Sequence, residues 1–189
     1  METELTKEIK AAIRKYKPIM NSNKRTVRWA EEVDVGTGFV DSIRFEDYIK
    51  NSNEIYRCKK FEKLIDVTKP LCDKKTCNGC INKSCKLKER QLGIMATCFE
   101  IKISKSDFKS KNGHNFVGNR NYYVIPKELF PEVADLIGED IGVILYYGNG
   151  VLRLNKECVI KDVNEVTLNR LLYNALKKWV DNDNSISSL

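Results

Sequence analysis

The run CFEIKISKSDFKSKNGHNFVGN, residues 98–119, decides how this chain is read. Its first half alternates. Phe99, Ile101 and Ile103 share one face of an extended strand, and Cys98, Glu100 and Lys102 share the other. The wider segment IMATCFEIKIS (94–104) is rich in β-formers and apolar enough for a central strand. A carboxylate and an ammonium are expensive to bury there unless they pair with each other or meet a cation. Two readings compete: a solvated cross-strand ion pair, or a metal-dependent active site. The alternation alone favours the ion pair, because charged surface groups are ordinary.

Working outward, TVRWAEEV (26–33) and FVDSIRF (39–45) predict an antiparallel hairpin with DVGTG (34–38) at its tip. Phe39, Asp41, Ile43 and Phe45 fall on one face of its second strand. If that strand neighbours 94–104, Asp41 and Glu100 converge, and a divalent cation relieves their repulsion. Hard oxygen ligands suit Mg²⁺ or Mn²⁺. Residues 3–18 predict an amphipathic helix capped by Thr3 or Thr6 and stopped by Pro18. A short helix follows Ser104, with Ser104 and Asp107 as a capping-box pair and NG (112–113) as its end. Strands are expected at 121–126, 141–147 and 151–155, and helices at 127–137 and 166–180. Tyr122, Tyr123, Tyr146 and Tyr147 are expected in core and sheet packing. Cys98 and Cys158 are expected to be buried small residues. The order describes a mixed α/β domain, a sheet flanked by helices. One domain is expected over 1–189, with a Cys-rich basic insertion at 46–93.

This arrangement resembles the PD-(D/E)XK nuclease superfamily, the restriction-endonuclease-like fold. The stretch FEIKISKSDFKSKNGHNFVGNRNYYVIP is similar to the MmcB-like DNA-repair branch and related small phage proteins. The likeness covers roughly residues 25–45 and 94–147. It implies that Asp41 and Glu100 hold the metal, with the backbone carbonyl of Ile101 as a third ligand. It implies that Lys102 is the catalytic lysine and that Glu8, on the first helix, assists. Asp41 follows Val40 rather than the proline that gives the superfamily its name. Beyond the motif, His114 is read as a hydrogen-bonding loop group or a site residue. Asn115, Asn119, Arg120 and Tyr122 are read as contacts to phosphate or an unpaired base.

Charge and cysteine point to one further segment. Between Arg57 and Arg90 stand eleven Lys/Arg against four Asp/Glu, which accounts for the whole net charge of +7. Such a patch is the footprint of a polyanion partner, here DNA, or else a solvated loop face. The same segment holds Cys72, Cys77, Cys80 and Cys85 in the pattern C-x4-C-x2-C-x4-C. That spacing suits a closed structural Zn²⁺ site. An iron–sulfur cluster is the alternative, although the fourth cysteine is too close for the plant-type pattern; unliganded thiols are the third reading. No apolar run approaches the ~20 residues of a membrane span. METELTKEIK lacks an apolar leader core. The chain is therefore expected in the cytoplasm of a bacterial or phage-infected cell. The expected function is metal-dependent hydrolysis of DNA phosphodiesters, in phage DNA processing or repair. Its rivals are an inactive nucleic-acid-binding or phage regulatory module on the same fold, and an iron–sulfur redox protein.

Overall fold

The structure is a computed structural model that describes residues 2–16, 27–51, 56–58, 63–65 and 91–184. The cysteine cluster, Pro18 and residues 185–189 lie outside the described residues. The chain divides into two compact units: Met1–Glu46 with Met95–Leu189, and Asp47–Ile94.

The first helix, α1 (Glu4–Lys15), starts where Thr3 Oγ1 accepts from the Thr6 amide at 3.1 Å. Glu4 in its first turn and Arg14 and Lys15 in its last complement the helix dipole. Then come β1 (Val27–Asp34), β2 (Phe39–Asn51), the short pair β3 (Tyr56–Cys58) and β4 (Lys63–Ile65), and β5 (Gln91–Ile101). After β5 follow α2 (Lys105–Lys109), β6 (Arg120–Pro126), α3 (Phe130–Val133), β7 (Gly142–Tyr146), β8 (Leu152–Lys156) and α4 (Glu165–Asn184). Strands β3 and β4 pair antiparallel in the second unit. The other six form one sheet in the order β1-β2-β5-β6-β7-β8. Within it β5, β6 and β7 run parallel, and antiparallel hairpins close both ends.

The parallel centre explains why NYYVIP and GVILY are apolar throughout: both faces are covered. On one face Phe99, Ile101, Tyr122, Val124, Ile144 and Tyr146 pack against Ile9, Ala12 and Ile13 of α1. On the other, Tyr123, Ile125, Val143 and Leu145 pack against Phe108, Leu129 and Val133. Each large apolar side chain so buried contributes about 1.5–3 kcal/mol. Truncating Ile13, which has no exposed surface, would remove α1's central contact.

Three expectations need correction. The helix expected over 127–137 is only α3 followed by a 3₁₀ turn, Ala134–Leu136. Pro131 has no N–H to give and its ring would meet the carbonyl of Lys127, so the helix cannot start earlier. Tyr147 is not in the core; it stands beyond the end of β7 and is exposed. Cys158 follows β8 and is half-buried, whereas Cys98 is fully buried, its thiol pushed up to about 12 by burial. Among the described residues, no helix is long and apolar enough to cross a membrane.

Candidate active site

The sheet brings Asp41 and Glu100 together from β2 and β5. Asp41 Oδ2 accepts from the Ile101 amide at 2.7 Å. Glu100 is fully buried. Its Oε1 accepts from the Asn115 amide at 3.2 Å, and its Oε2 has no hydrogen-bond donor among the described residues. Burial pushes the Glu100 carboxyl up to about 8, and the Asp41 charge adds to the effect. Burial raises Asp41 too, partly offset by the Ile101 amide and the charge of Lys10. Both carboxyls are therefore held above the ordinary carboxylate range, Glu100 the further of the two.

Lys102 is 3 % exposed. Its ammonium donates to the Asn112 carbonyl at 2.6 Å and to the Asp107 carbonyl at 3.3 Å, with Asp107 Oδ1 at 3.5 Å. Asp107 is itself held: its amide donates to Ser104 Oγ at 3.1 Å, and its Oδ2 accepts from the Ile103 amide at 3.1 Å. The capping pair expected from Ser104 and Asp107 is present, but the return bond reaches Ile103 rather than Ser104.

Residues 110–115 form a strap over the carboxyls. Gly113 has φ +72°, and a Cβ there would lie 2.6 Å from Lys102 Nζ and 3.3 Å from Glu100 Oε2. Only glycine passes between the Lys102 and Glu100 side-chain ends. His114 Nε2–H donates to the Ser110 carbonyl at 2.9 Å, so Nδ1 accepts from the Tyr123 hydroxyl. Burial raises the Tyr123 phenol, with the Glu100 charge a lesser cause, and it stays a donor. Asn115 stitches the strap to the β1–β2 tip. Its Nδ2 donates to the Phe39 carbonyl and its Oδ1 accepts from Thr37 Oγ1, both at 3.2 Å.

The remaining expected residues fall elsewhere. Glu8 accepts from the Tyr146 hydroxyl, and the α1 charge that bears on Asp41 is Lys10. Lys10 is buried, with Glu2 Oε1 at 2.8 Å and Glu32 Oε1 at 3.4 Å. Its neighbour Ile9 belongs to the buried helix face, which was the one sequence signal for it. Asn119 is built into the backbone: Oδ1 accepts from the Ala96 amide and Nδ2 donates to the Lys161 carbonyl. Tyr122 is buried and donates to Glu157 Oε2 at 3.2 Å. Asn115 is the functional-site residue whose position depends most on the fold, since it joins segments 76 residues apart.

The pair fits a divalent cation. Two hard carboxyl oxygen donors face each other, and one buried oxygen has no donor among the described residues. Among the described residues, no group of three or more His, Cys, Asp or Glu gathers, so further ligands would be backbone, water or substrate oxygens. No family model and no curated protein matches the chain. Among solved structures, the SPO1766 protein of unknown function from Silicibacter pomeroyi is similar at 12 % identity and a TM-score of 0.49, over 85 % of this chain and 80 % of that chain.

Proposed function

We propose that this chain is a metal-dependent nuclease of the PD-(D/E)XK type that hydrolyses DNA phosphodiesters. The observation that carries the reading is the half-buried Asp41 beside the fully buried Glu100, whose Oε2 lacks a donor among the described residues. The element order supports it as well: a helix, three strands that neighbour in the sheet, a short helix and a parallel strand, with the acidic residues on the second and third of those strands.

Asp41 and Glu100 would hold Mg²⁺ or Mn²⁺, with the Ile101 carbonyl as a third ligand. When bound, the cation supplies Lewis-acid polarisation of the phosphate and a more acidic water. The rest is done by the chain. The Ile101 amide fixes Asp41 and the Asn115 amide fixes Glu100, so neither carboxylate must reorganise. Release of the strap frees the Lys102 ammonium to offset negative charge growing on the phosphate. The basic segment Arg57–Arg90 would add backbone contacts, and Cys72, Cys77, Cys80 and Cys85 would hold structural zinc; elemental analysis separates zinc from iron. The assigning experiment is DNA cleavage with Mg²⁺ or Mn²⁺ by wild type, Asp41→Ala and Lys102→Ala. Cleavage only by wild type is expected, and equal activity in all three overturns the reading.

A second reading is a nucleic-acid-binding module that no longer cuts. The observation favouring it is that Lys102 has acceptors from its own loop at 2.6, 3.3 and 3.5 Å. It expects salt-sensitive binding that survives Asp41→Ala, without nicking by any variant.

A further inference from the structure

Tyr147 was expected inside the sheet and stands outside it, 40 % exposed. Two cations lie over its ring. Lys127 Nζ lies 5.2 Å from the ring centroid and the Arg153 guanidinium carbon 4.9 Å. Both cationic residues are exposed. Lys127 also has an exposed Glu128 carboxylate at 3.7 Å, a contact that water screens. An exposed aromatic ring with two cations over it supplies the parts of a single-strand binding surface: a π platform and charges for phosphates.

The register ties this trio to the carboxyl pair. Glu100 pairs with Tyr123, Tyr123 with Val143, and Leu145 with Arg153. These residues share one face of the sheet, and Lys127 and Tyr147 stand two residues beyond Ile125 and Leu145 of that face. They follow the C-terminal ends of β6 and β7, which run parallel to β5. The trio thus lies on the face and at the end of the sheet where β5 delivers Glu100. Ligands of parallel sheets bind at that end. From Ile101 the path crosses two strand spacings and runs three residues along, roughly 14 Å.

We propose that Lys127, Tyr147 and Arg153 form a docking surface for single-stranded DNA, with Tyr147 stacking on a base. The proposal rests on the nuclease reading for its substrate class, but its test does not need cleavage. A labelled oligothymidylate is titrated with the full chain in EDTA and followed by fluorescence anisotropy, for wild type, Tyr147→Ala, Tyr147→Phe, Arg153→Gln and Asp41→Asn. Tyr147→Ala is expected to weaken binding about tenfold, the effect of one lost stacked base. Tyr147→Phe keeps the ring and is expected to bind as wild type does. Arg153→Gln is expected to flatten the salt slope by about 0.7, one phosphate contact. Unfolding midpoints of the exposed-site variants serve as the fold control. Unchanged binding by Tyr147→Ala, no binding by wild type, or tighter binding of duplex than of single strand overturns the proposal. Oligonucleotide binding that depends on Tyr147, with no cleavage by any variant in Mg²⁺, keeps this surface and removes the nuclease reading.

Discussion

Strand β2 contributes to two charged clusters only a few residues apart, and they are built on opposite rules. Arg44, 2 % exposed, meets Glu46 Oε2 at 3.0 Å and lies against the rings of Trp29 and Phe99, at 5.7 and 5.8 Å. Its charge has an opposite charge and two π faces. Asp41, on the other side of the strand, meets a second carboxyl. The first cluster has its charge met by the chain, although Arg44 Nε and Nη1 have no hydrogen-bond partner among the described residues. The second is complete only with a proton or a cation. Burial is common to both, so burial alone does not mark a site; like charge left uncompensated does.

The comparison breaks most sharply on catalysis. Asp41→Ala should lower Mg²⁺-dependent cleavage about a thousandfold, whereas Arg44→Met should leave turnover per folded molecule near wild type; initial rates on a labelled substrate decide it. On stability the order reverses. Glu46→Ala strands a buried guanidinium and should cost about 3 kcal/mol in urea unfolding. The double change Arg44→Met with Glu46→Leu should recover most of that loss.

Protonation sharpens the contrast further. The folded Glu100 pKa, about 8, lies above the ordinary carboxylate value, so the folded state binds the extra proton. Stability from this group is therefore full below the unfolded pKa and is lost as pH rises towards 8. Metal-free wild type should weaken relative to Glu100→Gln between about pH 4.5 and 8. Mg²⁺ should remove that slope, which urea midpoints across pH would show. A smaller effect belongs to the strap. Gly113→Ala places a Cβ at positive φ and against Lys102, and should cost about 1 kcal/mol in the same unfolding assay.

The parts legible in the sequence were those governed by local period. Alternation over 98–103 assigned faces because a strand allows no other arrangement, and the hairpins were legible from their glycine tips. Gly36, Gly38, Gly148 and Gly150 do take positive φ. The juxtaposition of Asp41 with Glu100 followed from one assumption, that β2 and β5 are neighbours. What could not be read depends on contacts between distant segments. Asn115 at the hairpin tip, Lys10 beside Asp41 and Arg44 between two rings leave no periodic trace. Tyr147 misled because YY after an apolar run reads as more strand, while Gly148 ends β7 one residue sooner than the pattern suggests.

The Lys102 clamp has a thermodynamic consequence of its own. A ligand that needs this ammonium competes with Asn112 and Asp107 of the same chain, so measured affinity is intrinsic affinity multiplied by the population in which the strap has let go. A strap released about 1 % of the time makes every such ligand look about a hundredfold weaker than its contacts warrant. Loosening residues 110–115 would then tighten binding while costing stability, and selection on one quantity would be visible as a debt in the other.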